Sequence, residues 1–297
     1  MHWSVAVFAH NEERSLSRCL DHIMAECTGH EARVHVVVNG ATDASSAIAR
    51  EYASRSGGKI LAYSIRHGDK SNAWNQYIHT LKIDAPVHLF VDAYAFVKPH
   101  SFSALAAALK RPGVNAATAV PDSGRSKAQI IATMRTQVGL HGSLHALAGQ
   151  FIARVREKAI RLPLNLYRGD GLIGAMAAFD LEPLHTRYDA SRIAVVEDAS
   201  WRFDSLQAWR WRDIRRELRR RIRQLRGRYE SAAFKGIVKS RGFEALPALA
   251  DDMIAAFIDE HGLLTTNALS KQLHRLALKN VRPGRIPTPV DLQIIEM

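Results

Sequence analysis

Apolar runs of strand length alternate with stretches of helical period through the first third of the chain, the pattern of a parallel sheet built from βαβ units. Strands are predicted at 3–9, 33–38, 59–64 and 87–91, and helices at about 13–26, 43–56 and 71–82, with Asp43 placed as an N-cap of the second helix. Lys98-Pro99-His100 breaks the chain before a helix at 101–110 that ends ahead of Pro112-Gly113, and a fifth strand is expected at 114–120. After the turn Pro121-Asp122-Ser123-Gly124, residues 127–160 read as helix interrupted by Gly139, Gly142 and Gly149. A short helix at about 170–179, a strand at 192–197, a long Arg-rich helix at about 204–226 and helices at 246–260 and 265–279 complete the pattern. With no repeat and no clear linker, the expectation is one α/β domain over 1–230, in two halves (1–120 and 121–230), and a helical extension over 231–297.

Composition narrows the class. Hydrophobic residues make up 47% and charged residues 24%, which excludes a largely disordered, collagen-like or disulfide-stapled chain. Lys and Arg total 41 against 29 acids, leaving +12, and eleven arginines against three acids between 202 and 228 account for +8 of it. With Ile214, Leu218, Ile222 and Leu225 as one apolar stripe, that segment is a basic amphipathic helix. It has three uses: a solvated face, a clamp on a diphosphate over 212–216, or a seat on anionic lipid over 219–228 with Trp209 and Trp211 at the interface. Nucleic acid is not the expected partner, because the rest of the chain is nearly balanced and carries no reader motif. Cys19 and Cys27 lie eight apart in one helical stretch and face different directions, as buried thiols of a cytosolic protein do. No apolar run approaches the ~20 residues needed to span a bilayer, so a cytoplasmic protein is expected, at most peripheral at the inner face of the membrane.

Chemistry is expected beyond the carboxyl ends of the strands, where ligands bind in open parallel sheets. The first strand runs into Ala9-His10-Asn11-Glu12-Glu13, the second into Asn39-Gly40-Ala41-Thr42-Asp43, and Val87-His88-Leu89-Phe90-Val91 ends in Asp92. From pattern alone Asp92 is either a cap or a group facing a ligand. His141 and His145 are four apart but have no third metal ligand at a suitable spacing, which leaves a structural or acceptor-groove role. Gly68-Asp69-Lys70-Ser71 lacks the glycine spacing of a phosphate-binding P-loop.

The order of these pieces resembles family 2 glycosyltransferases with the GT-A fold. Val5 to Glu13 followed by Leu16 and Cys19-Leu20 is similar to the family's opening strand and "NEE…L..CL" helix. Val36-Val37-Val38-Asn39-Gly40-Ala41-Thr42-Asp43 resembles its "NGSTD" turn, Gly68 to Asn75 its "G-x-K-x-x-A-x-N", and Phe90-Val91-Asp92-Ala93-Tyr94 the strand carrying "D-x-D". The resemblance covers about 3–120 well, continues more thinly to about 220, and is absent past about 230. It implies an inverting transfer of a sugar from a nucleotide-diphosphate donor to an acceptor hydroxyl, in bacterial polysaccharide, glycolipid or other glycoconjugate synthesis. Ala9, Asn11, Glu13, Asn39 and Lys70 would hold the nucleotide, with Asp92 and Tyr94 beside the ribose or a cation. Asp170, after Arg168-Gly169, would be the general base; its other reading is an N-cap. Segment 125–170, with His141, His145 and Gln150, would form the acceptor side.

Two departures bear on the cofactor. A Mg²⁺ or Mn²⁺ ion across the phosphates would be bound by Asp92 and by the second acid of "D-x-D", but that second position is Tyr94, which is no carboxylate ligand. The His that the family often carries after its late strand is missing from Ala199-Ser200-Trp201-Arg202-Phe203. Arg212, Arg215, Arg216 and Arg202 offer a metal-independent way to neutralise a diphosphate. The alternative is a non-catalytic protein of the same fold that binds a nucleotide sugar, a membrane or a partner protein. A sugar nucleotidyltransferase would need a Gly-rich basic loop after the first strand, where this chain has Asn11-Glu12-Glu13.

Overall fold

A computed structural model describes residues 2–124, 127–204, 211–265, 267–285 and 292–294, with side chains in the long C-terminal helix described from residue 222 onward. Strands covered on both faces read as continuous apolar runs. Such runs form the centre of the sheet as β1 (His2–Ala9), β2 (Glu31–Asn39), β3 (Ile60–Ile65) and β4 (Val87–Asp92), all parallel and ordered β4-β1-β2-β3. The crossovers are α1 (Leu16–Glu26), α2 (Ser45–Arg55) and α3 (Lys70–Asn75). The helix expected over 71–82 changes its hydrogen bonding midway: α3 runs on as a π-helical turn, Gln76–Leu81, and stops at Lys82 in the left-handed conformation.

The second half departs further from expectation. Beyond β5 (Phe96–Val97), α4 (Ser101–Ala108) and β6 (Ala116–Pro121), the helix read over 127–160 is α5 (Lys127–Thr136), then a strand, β7 (Leu144–Ala148), then α6 (Gly149–Glu157). Leu144-His145-Ala146-Leu147-Ala148 carries good helix formers, but it lies antiparallel between β4 and β6, where two ladders outweigh propensity. Next come α7 (Gly169–Ala178) and β8 (Ile193–Arg202), which pairs with β6 in parallel and with β5 antiparallel. The sheet is therefore mixed but still mostly parallel, with β5, β7 and β9 (Leu292–Ile294, antiparallel on β3) running against the other strands, in the order β5-β8-β6-β7-β4-β1-β2-β3-β9.

Helices cover both faces. One layer packs Trp3, Leu16, Leu20, Ile23, Phe96 and Phe102, the other Trp74, Tyr77, Phe90, Phe151, Phe234 and Phe243. Each such buried side chain contributes about 1.5–3 kcal/mol of transfer free energy. The second layer includes residues of α8 (Trp211–Arg241), α9 (Ala250–His261) and the segment between them. A boundary at 230 thus falls inside one helix, and Glu230 itself is fully buried. A last helix, α10 (Ala268–Leu278), packs on α8. No described helix is long and apolar enough to cross a membrane.

Parallel strands bring their carboxyl ends to one edge. Because β7 runs the other way beside β4, its beginning, with Gly142 and Ser143 just ahead of it, lies at that same edge.

Candidate functional site

Asp92 closes β4 and is held by its own backbone: its N–H donates to Ser143 O (3.1 Å), and its carbonyl accepts from Ala95 N–H (2.8 Å). Its carboxylate, 12% exposed, is engaged at both oxygens, Oδ1 by Lys70 Nζ at 2.6 Å and Oδ2 by the hydroxyl of Tyr94 at 2.9 Å. That hydroxyl also meets Ser143 Oγ at 3.1 Å. Lys70 opens α3, whose start is capped by Asp69: Oδ1 accepts from Ser71 N–H (2.9 Å) and Oδ2 from Asn165 N–H (2.8 Å). Asp170 lies in the first turn of α7, with Oδ1 3.5 Å from Lys70 Nζ, which also donates to Gly142 O at 3.4 Å. Two carboxylates therefore flank one ammonium at the strand edge, on a lysine side chain that is 40% exposed.

Charge sets the protonation of this trio. Burial works against the Lys70 ammonium, but Asp170 and Asp92 on either side outweigh it and hold its pKa above the ordinary lysine range. Burial likewise raises an acid, and at Asp92, with Asp170 nearby, that effect exceeds the pull of Lys70, so its pKa lies above the carboxylate norm. At Asp170 the balance reverses: burial again raises the pKa, but Lys70, His145 and His141 together outweigh it and the carboxyl is held below its usual range. Tyr94 is a neutral phenol whose pKa is raised by burial and by Asp92.

The nucleotide-side residues of the sequence reading meet at the same edge, where they bind neighbouring turns. Asn39 Nδ2 donates to Ala9 O (3.0 Å), and His10 Nδ1 lies 2.7 Å from Asn39 O. Asn11, at φ 55°, accepts from Thr42 N–H at 2.8 Å. Glu13 accepts from Ala44 N–H at 3.3 Å while its own N–H donates to Asp43; the N-cap position of α2 is Ala44, not Asp43 as expected, although Asp43 still accepts from Ser45 N–H at 3.0 Å. Gly40 and Gly68 touch backbone to backbone; a Cβ on Gly40 would lie 2.4 Å from Gly68 Cα.

The acceptor-side residues are divided. His141 sits at the edge, its ring 5.0 Å from Trp201 and its Nδ1 accepting from Ser143 N–H at 3.4 Å. His145 is not in a groove: it lies within the sheet, stacked on Phe90 at 5.0 Å, and burial lowers its pKa to about 4. Gln150 is exposed beyond Ala148, which pairs with Val87 at the opposite end of β4 from Asp92, so it does not join the cluster. Arg212, Arg215 and Arg216 belong to the first turns of α8, and their side chains lie outside the described residues, as do those of the lipid seat up to 221. Arg202 is exposed at the end of β8.

Several positioning residues escaped the sequence reading. Asn75 clamps the main chain of Leu162, donating to its carbonyl and accepting from its N–H, both at 2.9 Å. Glu230 on α8 accepts from Tyr167 and Arg168 N–H, each at 3.0 Å, directly ahead of Asp170. Arg226, inside the proposed lipid seat, is instead held by Glu230 (2.9 Å) and Asp251 (2.7 Å) and donates to Asn165 O (3.0 Å). The signals were present: Asn75 ends the "G-x-K-x-x-A-x-N" run, and Arg226 and Glu230 stand at i, i+4.

A divalent cation does not fit this donor set. Mg²⁺ and Mn²⁺ need several hard oxygen ligands. Here Asp92 is already bonded at both oxygens, and its partner is a phenol. Among the described residues no group of three or more His, Cys, Asp or Glu is arranged to hold a metal ion.

Comparison with known proteins adds to this geometry. The family model described as "Glycosyl transferase family 2" matches residues 4–165. Among solved structures, a mannosyltransferase from Pyrobaculum calidifontis in complex with GDP-Man and Mn²⁺ superimposes with a TM-score of 0.59 at 18% identity, covering 95% of this chain and 81% of that one. TarS of S. aureus (residues 1–349) gives 0.57 at 16% identity, covering 93% and 79%. Its complex with UDP-GlcNAc gives 0.57 at 14%, covering 94% and 80%. No curated protein matches by sequence.

Proposed function

Because the chain belongs to glycosyl transferase family 2, we propose that the cleft at the strand edge moves a sugar, with inversion, from a nucleotide-diphosphate donor to an acceptor hydroxyl. The observation that carries this reading is the convergence of Lys70, Asp92 and Asp170 from three separate segments on one open edge. In the transfer, the acceptor oxygen attacks the anomeric carbon as its proton passes to an Asp170 carboxylate oxygen. The bond from that carbon to the diphosphate oxygen breaks, and its electron pair leaves with the diphosphate. Attack from the face opposite the leaving group inverts the carbon. A base held ionised by its neighbours suits the first task, and an ammonium at the cleft mouth suits the last.

A thermal-shift screen of nucleotide sugars, starting with GDP-Man and UDP-GlcNAc, identifies the donor, since a bound ligand stabilises by mass action. With that donor, Asp170→Asn is expected to lower turnover roughly 100- to 10,000-fold while leaving donor affinity within a few-fold of wild type. Unchanged turnover in the variant removes Asp170 from the role of base. Donor binding without transfer or hydrolysis of any nucleotide sugar supports instead a binding protein of the same fold, the reading that Tyr94 in place of an acid favours.

A further inference from the structure

We propose that the ammonium of Lys70, and not a divalent cation, is the positive charge set against the donor diphosphate. The proposal rests on the glycosyltransferase reading and specifies how its cleft meets the donor. At the end of β4, where a cation would need free carboxylate oxygens, Asp92 has none: Lys70 Nζ occupies Oδ1 at 2.6 Å and the Tyr94 hydroxyl occupies Oδ2 at 2.9 Å. A dication approaching either oxygen meets the ammonium or the phenol already bound there, and the ammonium is itself positive. Tyr94 is further tied to Ser143 Oγ at 3.1 Å, so it is fixed as a donor toward Asp92. The ammonium is well suited to the substitute role. It is anchored by Asp92, by Gly142 O at 3.4 Å and by the more distant Asp170 at 3.5 Å, yet 40% of the side chain is open to the cleft.

Its position is also fixed from behind. Asp69, the preceding residue, caps α3 and at the same time holds Asn165 N–H, so the start of the lysine's helix is locked to the segment that leads to Asp170. A phosphate oxygen arriving at Lys70 takes the place of the longer, 3.5 Å contact to Asp170, while the 2.6 Å contact to Asp92 stays as the anchor. Lysine serves phosphate as a point charge, which suits a diphosphate that departs once the sugar has been transferred.

The test is calorimetric titration of the full chain with UDP, GDP, ADP, CDP and dTDP, in EDTA and in MnCl₂, with free Mn²⁺ followed by electron paramagnetic resonance. The expected result is binding of one nucleoside diphosphate with a Kd that agrees within about twofold between the two conditions, and no depletion of free Mn²⁺ by the protein. Lys70→Met should weaken that binding by about tenfold or more, and Lys70→Arg, which keeps the charge, should restore most of it. Melting curves report whether each variant is folded; where Lys70→Met is not, the wild-type comparison decides alone. Binding that requires Mn²⁺, or that Mn²⁺ tightens by about tenfold or more, overturns the proposal and leaves the glycosyltransferase reading in place. Wild-type affinity in folded Lys70→Met overturns it as well. Absence of nucleotide binding in both conditions removes the donor reading itself, and the proposal with it.

Discussion

A hydrogen atom is all that fits on Gly142. A Cβ there would lie 2.2 Å from Asp170 Oδ2 and 2.6 Å from its Cγ, so the carboxylate rests directly on the glycine. Asp170 is about a third exposed and free to rotate away, which makes Gly142→Ala a test of placement rather than of folding. Turnover is expected to fall by roughly 10- to 100-fold, from misplacement of the base by about an ångström, with a melting temperature close to wild type. Equal turnover would mean that the base works from a different pose. Gly40→Ala is the contrast, because the neighbour at 2.4 Å is the backbone of Gly68 and cannot swing aside. Lys70, Asp92 and Asp170 were legible in the sequence, since each stands in a segment with its own recognisable order. Gly142 read only as an interruption of a helix: what a glycine touches across 28 residues of chain cannot be read from local pattern.

At the scale of elements, α8 supports the site through the loop ahead of Asp170. Replacing Arg226 by Met keeps much of its bulk but removes the counter-charge that two buried carboxylates, Glu230 and Asp251, share. Breaking such a network from one side costs about 3–5 kcal/mol, so Arg226→Met should lower the denaturant midpoint markedly. It should also reduce turnover, because Glu230 loses the partner that orients it toward Tyr167 and Arg168. A midpoint equal to wild type would show the network to be energetically neutral. The sequence pattern ended this helix near 226, just ahead of Gly227. Gly227 does not end it: a Cβ there would press on Arg168 Cγ at 2.8 Å, and the helix continues to Arg241. β7 was missed on similar grounds: its five residues favour a helix alone and a strand only between two others.

The whole molecule carries a marked acid sensitivity in its sheet. Burial lowers the pKa of His35 to about 4, of His88 to about 3 and of His145 to about 4, against an ordinary value near 6.5. At His88, burial with the nearby Arg156 favours the neutral ring, whose Nδ1 lies 2.8 Å from the Tyr77 hydroxyl, itself 2.6 Å from Ser4 Oγ. Each group has a folded pKa below its unfolded one, so its contribution is full above about pH 6.5 and is lost as the pH falls toward 4, where only the unfolded chain takes up the proton. Three such groups give a slope of up to about 4 kcal/mol per pH unit in that window. Denaturant titrations between pH 7 and pH 4 should show it, and His88→Phe should reduce the slope by one proton. A flat profile would mean that the rings are solvated. The α/β character and the positions of the central strands along the chain followed from periodicity, whereas the tail's place in the sheet did not. A three-residue edge strand carries no periodic signal, and its pairing of Tyr63 with Ile294 joins segments more than 200 residues apart in sequence. That pairing has a consequence for biosynthesis. As the polypeptide emerges from the ribosome, the outer rim of β3 waits uncovered until the residues of β9, more than 200 positions further on, have been made, and until then that rim is open to whatever strand meets it first.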